Sequence, residues 1–506
     1  MYNDVKNPGT RIPYHPPREP DCEKRLCADT LRGLFSGCAD FQTRELRVGG
    51  RGAVAVCCCF LDGLVSGAEI AETLLRPLTD FSRFGGVKSE AEALSAVLAG
   101  QVYGAAAREC RTADEAAQAL LGGCCLLVFD GLGRAAAFET KTDRQRAISE
   151  PASERALKGA RDSFTETLRV NTSLLRRRLR TPALRLRPVT LGRKSNTRAE
   201  LVFVDGVADP ALAERLETLL KDVETDGVLT TGEIESCLSD SSRSPFPTLL
   251  LTERPDRFCL NLLEGRVGLL VDGIPLGWLA PATLPQQLRV PDDVSKHFLA
   301  ASAMTLLRHL ALLTMLLLPA LYAATATYHQ EMLPFRLLLS IIESKQSVPF
   351  STALELLGML TAFELLQEAG LRLPKSVGET VSIIGALIVG QSAVEAKVVS
   401  PIAVIVVATS GIAGYTVPDQ DLTLALRLCR FALVLAAIAA GIFGIAAASA
   451  LLLWHLCSLD SYGVAYLAPL ADGDTRDWLR ALLQPPPWRD LCRDRRLRTP
   501  DRRRHK

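Results

Sequence analysis

The chain has 506 residues, enough for about three domains, and is 48% hydrophobic with a formal net charge of +2. So even a balance gives no global electrostatic argument for a nucleic-acid partner. The mean hydropathy of +0.17 conceals two unlike halves: charges and turn signals recur up to about residue 295, whereas Leu, Ala, Ile and Val dominate from about 300 to 460. The fold class expected is an α+β multi-domain membrane protein, with a tandem-duplicated cytoplasmic α/β region followed by an α-helical transmembrane domain of about four to six spans.

The opening residues, MYNDVKNPGTRIPYHPPREPDCEK, are polar and proline-rich. They lack the apolar core of a signal peptide, so residues 1–40 read as a disordered lead-in and the soluble half as cytosolic. An apolar run ending in Asp-Gly then occurs four times, at Asp62-Gly63, Asp130-Gly131, Asp205-Gly206 and Asp272-Gly273. Each reads as a strand closed by a tight turn. Asp62 and Asp205 are 143 residues apart, Asp130 and Asp272 are 142 apart. The flanks match too. Helical stretches, Ala68–Leu75 and Pro210–Val223, follow the first and third runs, and a second apolar run follows the other two. The matched offsets and flanks predict two tandem α/β subdomains, 41–150 and 186–295.

Residues 151–185 join the copies as a basic helical linker. Ser163 and Glu166 have the spacing of a capping box, and Arg176, Arg177, Arg178 and Arg180 form a basic block. Such a block is a candidate for contacts with a neighbouring subunit or with anionic headgroups, or is simply a solvated helix face. No aromatic residues are interleaved with it to stack on bases, so no nucleic-acid partner is expected.

From residue 296 to 460 the chain reads as a helical transmembrane domain. The runs 310–327, 381–394, 398–417 and 431–456 count as four spans, with Arg308 and His309 preceding the first and Pro319 predicting a kink in it. Between them, 328–375 is helical by period, and Glu364, Glu368 and Arg372 recur at i, i+4 and i+8 as one polar stripe. That segment is placed at the interface or as a re-entrant element; if both of its helices cross, the count becomes six. The run 381–394 is short, rich in small residues, and carries Gln391 ahead of Glu395 just beyond its end, as in a permeation or binding element. Gln391, Glu395, Glu364 and Glu368 are therefore the candidate pore or gating residues. Trp454, Tyr462 and Tyr466 are placed like an interfacial aromatic belt, and the tail 461–506 carries eleven Lys and Arg from Arg476 onward. Those charges put the tail in the cytoplasm, and an even number of crossings puts the N-terminal half there as well.

No Walker A loop, dinucleotide fingerprint, zinc-protease motif or nucleophile elbow is present, and none of the fourteen cysteines forms a CxxC pair. No enzyme activity, cofactor or metal is expected. The blocks 160–184, 246–283, 328–341 and 390–401 resemble the GerA family of spore germination proteins, in particular the A subunit of nutrient germinant receptors. The resemblance implies a multi-pass subunit of the spore's inner membrane. Its expected partners are a transporter-like B subunit, a lipoprotein C subunit and further copies of itself, in a ring that conducts ions when nutrient binds. It also implies roles for Gln391, Glu395 and the segment His329–Met332, while Lys397 departs from the pattern around Glu395. The alternatives are a secondary transporter acting alone, a membrane scaffold, and the sister branch that moves dipicolinic acid.

Overall fold

The structure is a computed structural model that describes residues 25–48, 54–84, 86–102, 107–141, 151, 154, 159–238, 244–372, 390–473, 475–486, 488 and 490–504. The chain forms two units, one from residues up to 239 with 249–281 and 487–506, the other from 240–248 and 282–486. Two expected boundaries therefore shift. Residues 282–295 belong to the helical unit, and the basic tail is divided between the units at about 487.

The first unit contains two five-stranded sheets. Strands β1 (Phe41–Arg47), β2 (Ala55–Leu61), β3 (Arg108–Cys110), β4 (Cys124–Phe129) and β5 (Arg134–Glu139) lie in the order β1-β2-β4-β5-β3. Strands β6 (Leu184–Leu191), β7 (Thr197–Val204), β8 (Leu250–Thr252), β9 (Val267–Val271) and β10 (Gly277–Ala280) repeat that order as β6-β7-β9-β10-β8. Every pairing is antiparallel. The fold is thus α+β, and the duplication inferred from Asp-Gly spacing is visible as one topology used twice.

Side chains alternate across a strand, so a strand with both faces covered must be apolar at every position. This is why the sequence reads VAVCCCFL without a polar break. Cys57, Cys59, Leu126 and Val128 face one buried cluster, with helices α1 (Ala28–Leu34) and α2 (Ala113–Leu121), while Cys58, Cys125, Leu127 and Phe129 face another. The described cysteines are all free thiols. In the second sheet Gly268 and Gly277 leave room for the Phe258 ring, which packs edge-on to Phe164 at 5.5 Å.

The Asp-Gly turns do more than reverse the chain. Asp130 accepts a hydrogen bond from Ala28 N at 2.7 Å, and Asp272 accepts one from Leu168 N at 2.9 Å. Each fourth-strand aspartate thereby satisfies the first turn of a helix, α1 in one copy and α3 (Leu168–Arg178) in the other. Two expectations are corrected by this. Helix α1 lies inside 1–40 yet is part of the first repeat, and α3 is capped by Asp272 rather than by a Ser163–Glu166 box. Residues 1–24 lie outside the described residues. At the other end of the chain, Arg493 donates to Leu263 O at 2.6 Å and Asp501 N to Gly206 O at 3.2 Å.

In the helical unit, α6 (Phe298–Thr327) follows α4 (Pro210–Lys221) and α5 (Pro255–Glu264) of the first unit in numbering. It runs unbroken through Arg308 and Pro319, its arginine neutralised by a buried Asp293 whose Oδ1 accepts from Nη2 at 2.9 Å. Next come α7 (Phe335–Lys345), α8 (Thr352–Arg372), α9 (Pro401–Gly414) and α10 (Gln420–Ser458). Among the described residues, α6 and α10 are long and apolar enough to cross a membrane. The expected span 398–417 is a helix of only 14 residues, about 21 Å long, because Ser400 caps it and Pro401 fixes its first turn. The expected span 381–394 lies outside the described residues up to 389.

Helix α10 replaces the expected single span 431–456. Its 39 residues would extend about 58 Å if straight, roughly twice the hydrocarbon thickness of a bilayer. It is broken instead at Ala440 (φ −140°, ψ 17°) and Gly441 (φ 61°, ψ −140°). A methyl on Gly444 would collide with Ala436 O, although eight residues of straight helix rise about 12 Å, so the chain folds back sharply here. The break is held by the end of α6: Tyr328 OH donates to Ile438 O at 2.8 Å, and the His329 ring lies where a Gly441 side chain would be.

Replacing Gly441 by Ala is expected to destabilise the purified chain by about 1–3 kcal/mol, through both backbone strain and the clash with His329. Gly358→Ala, with nothing within 4 Å of the added methyl and helical geometry, is expected to be neutral or to stabilise by about 0.5–1 kcal/mol. Thermal unfolding in detergent distinguishes the two.

Candidate functional site

Charged side chains in an apolar helical bundle demand partners, because an unpaired ion away from water is costly. Glu364 lies on α8, and its Oε1 accepts from Arg430 Nη2 while its Oε2 accepts from Arg427 Nη1 at 3.3 Å. Both arginines project from α10. Arg430 is 1% exposed, and its Nη1 donates to Ser410 Oγ on α9 at 3.2 Å. Ser410 Oγ in turn donates to Met315 O on α6 at 2.9 Å. One carboxylate thus ties together α6, α8, α9 and α10.

A second carboxylate, this one buried, belongs to Glu355, one face of α8 away. It accepts from Ser400 N at the start of α9 and lies 3.8 Å from Lys345 Nζ of α7. A carboxylate there meets the unsatisfied N–H groups and the positive end of α9.

The other predicted residues are placed differently. Glu368 is exposed, so the stripe of Glu364 and Glu368 divides into one half-buried partner of arginine and one surface residue. Gln391 Nε2 donates to Glu395 Oε1 at 3.0 Å, one turn along an exposed helical segment. Lys397 follows with φ 55°, a left-handed turn that ends that segment before Ser400. The sequence reading missed Arg427 and Arg430, since the apolar run was begun at Phe431. Two arginines three residues apart at its edge were the available signal.

The basic block is not one surface. Successive helical residues point about 100° apart, so Arg176, Arg177 and Arg178 scatter around the last turn of α3, and Arg180 lies beyond its end. Arg176 is 1% exposed and donates to both oxygens of Asp40, Nε to Oδ2 at 2.7 Å and Nη2 to Oδ1 at 3.0 Å. Its Nη1 reaches Thr181 O at 3.2 Å. It is therefore withdrawn from any headgroup or subunit contact, contrary to expectation. Arg178 pairs with Asp162, and Arg180 is exposed, its Nε donating to Arg177 O at 3.3 Å. Asp40 precedes β1 whereas α3 precedes the second sheet, so this ion pair joins the repeats. Arg169–Asp62, and Arg185 Nη1 to Ser36 O at 2.6 Å, add to the same seam.

Glu200 on β7 faces that seam. Its Oε2 is enclosed with no partner among the described residues. Burial pushes its carboxyl up to about 8, with Asp40 and Asp62 adding to the rise and Arg176 opposing it.

The family model described as Bacillus/Clostridium GerA spore germination protein matches residues 29–496. The chain belongs to the GerA spore germination family. Among its relatives, spore germination protein KA of Bacillus subtilis is 35% identical over 92% of this chain and 84% of its own length. Spore germination protein GerLA of Bacillus cereus is 32% identical over 86% and 87%, respectively. An uncharacterized membrane protein of B. subtilis, YfkQ, is 35% identical over 94% of this chain and 91% of its own. The N-terminal domain of the A subunit of the Bacillus megaterium germinant receptor GerK3 aligns at 26% identity and a TM-score of 0.41, covering 52% of this chain and 97% of that domain.

Within this GerA chain, Arg176→Ala leaves Asp40 buried without a counter-ion and is expected to cost about 3–5 kcal/mol, against no more than about 0.5 kcal/mol for the exposed Arg180→Ala. Denaturant unfolding of the full chain measures both. For Glu200 the native state keeps a proton up to about pH 8 that the unfolded state releases near pH 4.5. Its contribution to stability is thus complete below pH 4.5 and is lost as pH rises through 8. Glu200→Gln is expected to flatten that decline in a series of melting temperatures between pH 5 and 8.5.

Proposed function

We propose that the chain is the membrane-embedded A-type subunit of a spore germinant receptor, a sensor component and not a catalyst. It acts in the spore's inner membrane beside a transporter-like B subunit and a lipoprotein C subunit, with its sheet-containing unit in the cytoplasm. Copies of the chain assemble around a path for cations, which opens when the receptor binds nutrient. Membership of the GerA family supports the germination role, and the long apolar helices α6 and α10 support the membrane placement.

The observation that carries the reading to specific residues is the contrast between two kinds of carboxylate. Glu364 is fully engaged by Arg427 and Arg430 and serves to hold helices together. Glu395 is exposed and held by an amide, with no cation paired to it among the described residues. Repeated around an oligomer, such carboxylates form a ring of the kind that concentrates cations.

The experiment is cation release from spores carrying Glu395→Gln, with amino acids and sugars applied in turn and receptor levels matched to wild type. Release is expected to fall strongly while the complex still assembles. Unchanged release removes Glu395 from the conduction path and leaves the chain as a scaffold for its partners.

A further inference from the structure

Helix α11 (Thr475–Leu482) is used by none of the preceding arguments. On the helical wheel Trp478 and Leu482 lie about 160° from Arg480 and Leu479 about 100° from it, while Leu483, just beyond, borders Arg480 at about 60°. Leu483 N donates to Leu479 O at 2.8 Å, which carries the helical turn one residue further. Ala481 is buried and Leu482 half-buried against the helical unit, yet Trp478, Leu479 and Leu483 are 48%, 56% and 36% exposed. The helix thus has one apolar edge against the protein and a second that none of the described residues covers.

Its position says what covers that edge. Ser302 Oγ accepts from Gln484 N at 3.1 Å and donates to Gln484 O at 3.2 Å, which fixes the end of α11 beside the beginning of α6. Arg289 donates to Arg480 O and holds the helix from the other side. The same end of the unit receives the end of α10, because Leu284 N donates to Tyr466 O at 2.9 Å and Tyr466 OH to Gln287 Oε1 at 2.7 Å. Trp454, in the last turns of α10, is 71% exposed. The start of α6 and the end of α10 therefore lie at this level, and the exposed Trp454 and Trp478 mark it.

We propose that α11 is a lipid-binding helix lying in the membrane interface, with Trp478, Leu479 and Leu483 in the upper acyl region and Arg480 among the headgroup phosphates. This rests on the membrane placement given under the proposed function. Tryptophan and leucine on one side, with arginine on the other, is the composition that holds a short helix at the headgroup boundary. The lipid is that of the bilayer crossed by α6 and α10, so α11 sets the depth of that end of the unit.

The test uses the full chain in nanodiscs made with lipids brominated high on the acyl chain, compared with unbrominated lipid. The emission of Trp478 is obtained as wild type minus Trp478→Phe, and that of Trp454 as wild type minus Trp454→Phe; the buried Trp278 and the exposed Trp488 cancel in both. Trp478 emission is expected to fall by about half, and Trp454 emission to fall as well. Quenching of Trp454 without Trp478 overturns the proposal and leaves the membrane reading standing, with water, a second copy or a partner protein against α11. Quenching of neither overturns both. Should Trp478→Phe misfold, Leu479→Glu is used: loss of shallow quenching is expected, and unchanged quenching overturns the proposal.

Discussion

Glu364 and Arg430 set the arrangement of the helical unit because neither is tolerable there alone. A charged side chain held away from water without a partner is costly, and two such charges on different helices recover that cost only by meeting. The meeting point fixes α8 against α10. Ser410 then extends the constraint to α9 and α6 through hydrogen bonds of 3.2 and 2.9 Å. Apolar packing alone is permissive between greasy helices, since lipid tails are as apolar as leucine. A charge pair allows one register.

The break in α10 follows from the same economy of polar groups. Where the helix turns at Ala440 and Gly441, carbonyls lose their i+4 donors, and Tyr328 OH supplies one to Ile438 O. The segment after α6 that carries the family resemblance is thus also the seat of the break. In the first unit an equivalent role falls to Asp40 and Arg176, a buried pair between the repeats that no amount of strand pairing within either sheet provides. Beside it, burial pushes the Glu200 carboxyl up to about 8, with Asp40 and Asp62 adding to the rise and Arg176 opposing it.

What was legible in the sequence was whatever depends on local spacing. Asp-Gly turns at matched offsets revealed the duplication, since a turn's chemistry is written in two adjacent residues. The helix at Ala28–Leu34 was not legible as part of the repeat, because its cap, Asp130, lies 102 positions away. The partner of Glu364 was hidden for the same reason, Arg430 being 66 positions away. Span counting went astray at α10, where hydropathy runs on smoothly through Ala440 and Gly441 and only backbone dihedrals mark the reversal. The arginine block misled because a run of like charges in one dimension becomes a spread of directions on a helix, one of which points inward.

The central claim is that the Glu364–Arg430 pair, and not generic apolar packing, determines how the helices assemble. A double-mutant cycle tests it most directly: thermal stability of the full chain in detergent for wild type, Glu364→Gln, Arg430→Met and the double variant. The account predicts a coupling of about 1.5–3 kcal/mol, with the double variant more stable than Glu364→Gln alone, because that single change strands the buried Arg430 whereas Arg430→Met leaves Glu364 paired with Arg427. Additive effects, with no coupling beyond about 0.5 kcal/mol, would contradict it.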